Sequence, residues 1–404
     1  MRNAEPPRLR RYLSLSIRKT KRLLEFLAYG VFDALALIGH KPRPDPARTA
    51  IVNLELLGDY VLWLPYGQAL VWHLHNEGRE VVLVLNAAVA VLAERHFPDC
   101  MVVAVDRRRF VRDWRERQRV LRMLHALSVG SAYHLSYPRG TMIVQDAAVR
   151  ALGAAAWGFD ATFPDRPWID RLISRRLYAR LLPAIDGVHQ TQRHRAFLQA
   201  VRVPAALLAP VADFSSGLEA PCDVPYLVIA PGASEGQRCW PADQFVAVAR
   251  RILTQHQDWR CLVVGTAAER AMAEQISMAL GERADNRAGC TDVLGLVGCI
   301  AHARLVVGND SAAVHIAAAC GVPGVAVVGG GHYQRCFPYD PREAHVRRLP
   351  VTVARPMDCF GCDWICRYRV AVGRPFPCIE AVTGEAVCAA VETALVKPSK
   401  SPQG

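Results

Sequence analysis

The feature that most constrains this chain is an alternation of short apolar runs with helical stretches, broken once and then resumed. Thr49–Glu55, Glu80–Asn86 and Met101–Asp106 read as strands, with helices at Tyr60–His75 and along the very basic Arg107–Leu127. Runs of Val, Ile and Leu with no polar face suit a parallel sheet covered on both sides, which makes the class α/β. Residues 130–205 are less periodic. A stretch rich in Ala and Pro, Ala205–Pro225, then interrupts the pattern. Beyond it, strands are expected at Pro225–Ala230, Trp259–Gly265, Arg304–Gly308 and Val322–Val328. Helices are expected at Pro241–Gln255, Ala267–Leu280, Asp292–His302, Ser311–Cys320 and Thr383–Leu395. At 404 residues the chain is too long for one core, and two wound halves joined by a linker outline a two-domain cleft protein. The expected organisation is an arm over 1–47, domains over 48–210 and 211–396, and a tail over 397–404. No internal repeat is visible.

The net charge of +12 would suit a nucleic-acid coat only if it were spread over the body. Residues 1–50 instead carry 11 Lys/Arg against 4 Asp/Glu, so +7 sits at the N-terminus. No nucleic acid is therefore expected as a partner. Arg8-Leu-Arg-Arg11 and Arg18-Lys-Thr-Lys-Arg22 lead into an apolar stretch, Leu23–Gly39, which carries Glu25 and Asp33. It is short and too charged to span a bilayer, and the following Lys41-Pro-Arg-Pro-Asp-Pro46 offers no signal-peptide cleavage site. Two readings follow. Residues 1–45 either lie on an anionic membrane surface, or form a helix packed on the protein's own body beside a solvated charge run. Thirteen cysteines, an odd number in a large chain without a signal peptide, point to reduced thiols in the cytoplasm.

Three strand-to-helix junctions of the second half are polar where a connection needs only to be short. They are Pro231-Gly-Ala-Ser234 with Arg238-Cys-Trp-Pro241, Gly308-Asn-Asp-Ser311 with His315 one turn on, and Gly329-Gly-Gly-His332. All follow strands, so all should share the carboxyl edge of one sheet, where open α/β sheets bind ligands. Small residues admit backbone amides, helix N-termini favour phosphate, and Arg238 can add a charge-assisted contact to a diphosphate. Glycines and Ser or Asp caps also occur at such junctions for structural reasons alone. Neither a dinucleotide fingerprint nor a Walker A run is present. In the first half, Gly58-Asp59 opens a helix. Asp59 is either an N-cap or a carboxylate aimed at a ligand.

Together these runs resemble the family 9 glycosyltransferases, the ADP-heptose:lipopolysaccharide heptosyltransferases and their relatives. The motifs are Leu57-Gly-Asp-Tyr-Val-Leu-Trp-Leu-Pro65, Pro231–Ser234 with Arg238–Pro241, and Gly308-Asn-Asp-Ser-Ala-Ala-Val-His315, over about residues 48–396. The resemblance implies a GT-B fold, two Rossmann-like parallel-sheet domains facing across a cleft. The first would hold the acceptor and the second the nucleotide sugar, here with a basic helical arm in addition. It implies inverting catalysis that requires no cofactor, with Asp59 as general base. Ser234, Arg238, Glu269, Asp310, Ser311, Ala312 and His315 would bind the donor, ADP-heptose or a related ADP-sugar. The acceptor would be a lipid-linked saccharide of the lipid A-core type. The enzyme would be cytoplasmic and peripheral on the inner face of the inner membrane. This chain departs from the pattern in Ala312, where relatives carry Gly, in Gly329-Gly-Gly331, where they often read Gly-Pro-Thr, and in the arm.

Cys359, Cys362, Cys366 and Cys378 form the densest cysteine run, in segment 359–378. Four thiols can close a structural zinc or iron site, or can simply be buried thiols. Some protein-modifying relatives use such a cluster for iron, so a protein-modifying heptosyltransferase is a second expectation. A non-catalytic, membrane-associated nucleotide-sugar-binding protein is a third, disfavoured because Asp59 and Asp310 are both retained.

Overall fold

A computed structural model describes residues 24, 28–37, 43–137, 144–160, 172, 175–209, 211, 214–341 and 346–396. The basic runs of the arm and the tail at 397–404 lie outside the described residues. The chain divides into two compact units, Met1–Leu208 and Ala209–Gly404.

In the first unit the strands are β1 Asp45–Asn53, β2 Glu80–Asn86, β3 Met101–Val105, β4 Val129–His134, β5 Ala155–Phe159 and β6 Tyr178–Leu182. Around them lie α1 (residues 28–36), α2 Leu57–Asn76, α3 Ala90–His96, α4 Arg107–Arg112, α5 Trp114–Ala126, α6 Gln145–Leu152 and α7 Gln190–Ala200. The second unit has β7 Tyr226–Ala230, β8 Arg260–Val263, β9 Ala284–Asn286, β10 Leu305–Asn309, β11 Gly324–Val327 and β12 Val351–Val353. Its helices are α8 Ala242–Gln255, α9 Arg270–Leu280, α10 Val293–Ala301, α11 Ala312–Cys320, α12 Pro377–Glu380 and α13 Gly384–Leu395.

The sheet orders are β3-β2-β1-β4-β5-β6 and β12-β11-β10-β7-β8-β9, with every pairing parallel. Numbered within its own unit, each sheet is the doubly wound order 3-2-1-4-5-6, reversing direction between its first and fourth strands. The two units thus repeat a topology without repeating a sequence. Winding rules fix the strand order, whereas side chains need only be apolar where the helices cover the sheet. Val81–Leu85 of β2 and Leu227–Ile229 of β7 are fully buried, which explains runs with no polar face.

Two expectations change in detail. The basic stretch 107–127 is two helices, because Asp113 ends α4 and caps α5, its Oδ1 accepting the N–H of Arg115 at 3.0 Å and of Glu116 at 3.3 Å. The edge strands β9 and β12 have three residues each, too few to register as apolar runs.

Helix α1 packs on α4 and α5, as in the second reading of the arm. The Asp33 carboxylate takes two 2.6 Å hydrogen bonds from Arg117, and both residues are 1% exposed. The guanidinium lies over Tyr29 at 4.5 Å and Phe110 at 4.6 Å. Gln118 Nε2 donates to the Phe32 carbonyl at 2.5 Å, and Tyr29 Oη to that of Val111. Among the described residues no helix is long and apolar enough to cross a membrane.

A buried bidentate pair is most costly when only one partner is removed. Asp33→Ala should cost the first unit about 3–5 kcal/mol in urea unfolding, and the pair Asp33→Leu with Arg117→Met should recover most of that loss.

Candidate functional site

In the second unit the sheet reverses between β7 and β10, and the polar junctions gather there. The loop after β7 holds Pro231–Ser234, then a 3-10 turn at Gly236–Arg238 that leads to Pro241 and α8. After β10 come Asp310 and Ser311, the residue that immediately precedes α11. The flanking strands β11 and β8 end in Gly329–Gly331 and in a turn at Ala267–Glu269. Parallel pairing brings these ends to one edge, as the sequence predicts.

The two central loops are joined by Asn309, a buried amide at the end of β10. Its Nδ2 donates to the Pro231 carbonyl at 2.6 Å, and its Oδ1 accepts the Trp240 N–H at 3.0 Å. Trp240 is buried in turn, with Nε1 donating to the Val382 carbonyl at 2.9 Å. The path from Pro231 to Trp240, which carries Ser234 and Arg238, is thereby held at both ends.

Arg238 Nη1 donates to Ser234 Oγ at 2.5 Å, Nη2 lies 3.6 Å from Asp310 Oδ2, and Cζ stands 4.2 Å over the Trp364 ring. Its buried Nε has no hydrogen-bond partner among the described residues. Burial raises the Asp310 carboxyl above the usual aspartate range, while the guanidinium groups of Arg238 and Arg335 pull it down. Ser311 heads α11 in extended conformation without capping it, and its buried Oγ has no partner among the described residues. Ala312 is the first residue of α11, where the leading N–H groups lack intrahelical acceptors. An unused hydroxyl, orphan amides and a half-covered guanidinium together form an edge suited to an oxyanion.

Two expected residues are engaged differently. The Glu269 carboxylate folds back to accept the Thr266 N–H at 2.6 Å in a capping box. It lies so close to Gly232 that any Cβ there would collide with it. His315 is buried, with Nδ1 2.6 Å from Tyr339 Oη and its ring stacked on Phe337 at 4.6 Å. It ties α11 to the segment that carries Phe337 and Tyr339. His332 is held down to about 3 by burial and by Arg335 and Arg238, so its imidazole is neutral at physiological pH.

Sequence reasoning did not assign a role to Asn309 or Trp364. The cysteine-rich segment lies directly on the Gly329–Gly331 loop. Gly361 N–H donates to the Gly330 carbonyl at 2.7 Å, and Asp363 N–H to that of Gly331 at 3.1 Å. A Cβ on Gly331 would overlap the Trp364 ring, and one on Gly330 would overlap Phe360. Three successive glycines, a departure from the family pattern, are what let Trp364 come under Arg238. Cys359, Cys362, Cys366 and Cys378 line one small cavity beside Trp364 and Met357. Burial raises the thiols of Cys362 and Cys378, which favours their neutral form. Among the described residues no three His, Cys, Asp or Glu side chains are placed to hold a metal ion, so the expected structural zinc or iron gains no support from the geometry.

In the first unit Asp59 is the third residue of α2. The N-cap is Leu56, so Asp59 is not the cap, although its carboxylate lies in the favourable field of the first turn. Glu55, one turn earlier, accepts from Gln145 Nε2 at 2.9 Å and lies 3.5 Å from Arg107, tying together the loops after β1, β3 and β4.

Asn309→Leu should leave a buried carbonyl and a buried N–H without partners. It should lower the stability of the second unit by about 2–4 kcal/mol in urea unfolding. Gly331→Ala should quench or shift tryptophan fluorescence at native temperature by displacing Trp364.

Residues 171–356 match the family model described as Glycosyltransferase family 9 (heptosyltransferase). The curated Lipooligosaccharide heptosyltransferase 2 of Haemophilus ducreyi is 32% identical over 117 residues, 28% of this chain and 33% of that protein. The chain spans between a third and a half of the length of the curated relatives it matches. Among solved structures, E. coli heptosyltransferase WaaC with ADP-2-deoxy-2-fluoro heptose aligns at TM-score 0.60 and 17% identity, covering 86% of this chain and 99% of that one. The iron-containing dodecameric glycosyltransferase TibC from enterotoxigenic E. coli H10407 aligns at 0.52 and 16%, covering 88% and 77%. Those likenesses are ones of fold, two α/β units of the GT-B class. The chain thus contains a glycosyltransferase family 9 (heptosyltransferase) domain, the family its motifs resemble, at residues 171–356.

Proposed function

We propose that this chain is an inverting, metal-independent glycosyltransferase that moves heptose from ADP-heptose to a lipid-linked saccharide of the lipid A-core type. The observation that carries the reading is the grouping of Arg238, the unpartnered Ser311 Oγ and the α11 N-terminus at the reversal of a sheet that belongs to a heptosyltransferase-family domain.

In this reading Asp59 accepts the proton of the acceptor hydroxyl as its oxygen forms a bond to the anomeric carbon. The bond from that carbon to the β-phosphate oxygen breaks, and the electron pair leaves on ADP. One carboxylate base suffices for a single displacement. Arg238, Ser311 Oγ and the α11 amides stabilise the leaving diphosphate, and they can do so because their positions are fixed beforehand. Ser234 and Asp310 orient Arg238. Ala312 supplies an amide, His315 supports it from beneath, and Glu269 stands at the rim beside Gly232. The site works at the inner face of the cytoplasmic membrane, with residues 1–45 on the anionic surface.

A second reading, a protein-modifying heptosyltransferase with a structural metal, has behind it four cysteines that line one cavity, although among the described residues they are not placed to hold a metal ion. Metal analysis of the purified protein and of its four-serine variant separates the two, as does supplying a lipid-linked or a protein acceptor.

Asp59→Asn should abolish transfer while calorimetric affinity for ADP-heptose stays within about twofold, since the base is not a donor contact. Wild-type turnover in that variant would remove Asp59 from its role. Arg238→Ala should weaken ADP binding about ten- to a hundredfold. Asp310 has the opposite sign for folding and for function. A carboxyl whose folded pKa lies above its unfolded value costs stability whenever it is ionised, at any pH above that unfolded value. Asp310→Asn should therefore leave Tm at pH 7 no lower than in the wild type, yet reduce donor affinity by loosening Arg238. A lower Tm would contradict the electrostatics given for this carboxyl.

A further inference from the structure

Helix α1 is amphipathic the wrong way round for a helix resting on its own protein. Its inward face carries the charged group, Asp33, sealed against Arg117. Its outward face carries Val31, Phe32 and Leu35, which are 63%, 50% and 56% exposed, and Leu24 upstream is 62% exposed. Within α1, positions 28, 31, 32 and 35 recur at helical spacing, so they form one apolar stripe. Trp114, where α4 gives way to α5, is 61% exposed. Helix α1 is tied to those same two helices by Tyr29 to Val111 and by Gln118 to Phe32.

The helices beside the stripe are cationic. Arg108, Arg112 and Arg115 are exposed, and none has a carboxylate within ion-pair distance among the described residues. The sequence just upstream of Leu24 adds Arg18, Lys19, Lys21 and Arg22.

We propose that this composite face, the outer stripe of α1 with Trp114 and the unpaired arginines of α4 and α5, docks on an anionic lipid bilayer. It deepens the membrane reading above, and rests on it, by naming the surface and the lock that orients it. The Asp33–Arg117 pair fixes which side of α1 faces inward, so the apolar side is presented and not buried. An anionic bilayer satisfies both halves of the face. The acyl boundary takes Val31, Phe32 and Leu35, the lipid phosphates take the arginines, and an indole is favoured at the interface between them. A second copy of the chain would cover the stripe only by bringing two sets of arginines together, which opposes association.

The test is flotation of the full chain with vesicles of phosphatidylcholine alone and of phosphatidylcholine with phosphatidylglycerol, at low and raised salt. The wild type should float with anionic vesicles only, and less at high salt. Phe32→Glu with Leu35→Glu should lower the partition coefficient about tenfold or more. Arg112→Gln with Arg115→Gln should lower it and flatten its salt dependence. Both changes lie on exposed positions, and unchanged thermal unfolding and ADP affinity serve as the folding control. Equal flotation of the wild type and both variants would overturn the proposal. So would a wild-type dimer that ignores vesicles and is dissolved by the Phe32 and Leu35 changes, because the occupant would then be a second copy. ADP-heptose binding measured on the same proteins keeps the two readings apart. Its absence with vesicle binding intact would sink the proposed transfer and leave the docking face standing.

Discussion

The carboxamide of Asn309 is the joint on which the second unit's ligand edge depends. It sits where β10 ends, in a place too dry for water to substitute, and makes hydrogen bonds of both polarities to the neighbouring loop. No other side chain of that size does this. Aspartate has no donor, and leucine has neither donor nor acceptor. The two loops it joins carry Arg238 on one side and Asp310 and Ser311 on the other. In the proposed transfer a leaving diphosphate would be stabilised by groups that need not move as charge develops, and a fixed amide at the loop junction would supply that fixity. Arg238 is then held on several sides, by the Ser234 hydroxyl, the Asp310 carboxylate and the Trp364 ring. Of these only Asp310 is charged; burial raises its carboxyl above the usual aspartate range while Arg238 and Arg335 pull it down. The guanidinium is thereby oriented, while its buried Nε keeps no hydrogen-bond partner among the described residues.

Much of this was legible in the sequence, for identifiable reasons. Buried parallel strands are apolar on both faces, so β1, β2, β7 and β10 stand out as runs. Polar residues directly after such strands stand at one sheet edge, so the sequence places Arg238, Asp310 and Ser311 together, where the fold gathers them. What was not legible depends on contacts between distant segments. Trp364 lies more than a hundred residues from Arg238 and looks like one more aromatic among cysteines. Only the clash that a Cβ on Gly331 would make shows why the glycines and the tryptophan belong together. Glu269 and His315 also make contacts that spacing alone does not show, a capping box for the one and a buried aromatic stack for the other. The break at Asp113 escaped for a related reason: an N-cap can follow a helix directly, with no Gly or Pro to announce it.

The two units share a strand order and use it differently. In the second, the edge at the sheet reversal is cationic and rich in amides. In the first, the corresponding edge holds carboxylates: Asp59 in the first turn of α2, and Glu55 bridging loops that follow three strands. In the proposed transfer a proton acceptor and an anion site have opposite electrostatic needs, and a single edge would have to compromise between them. Carboxylates on one sheet edge and cations and amides on the other would let each environment be tuned alone.

The cysteine-rich segment shows where the chain accepts local cost. Asp363 and Trp364 both adopt left-handed backbone conformations, φ +47° and +61°, in succession and without glycine. Such conformations cost roughly 1–3 kcal/mol each and persist only where surrounding contacts over-determine them. Those contacts are specific: two backbone hydrogen bonds onto Gly330 and Gly331, and the indole packed on glycines that have no side chain to resist it. A segment needed only to cover the core had cheaper routes, since Phe360 and Phe376 already pack there. What the strained turn adds is a flat aromatic face 4.2 Å from the Arg238 guanidinium. Stacking orients that cation without adding negative charge, so in the proposed function it would steer Arg238 while preserving its pull on a phosphate, which a second carboxylate in the same place would cancel.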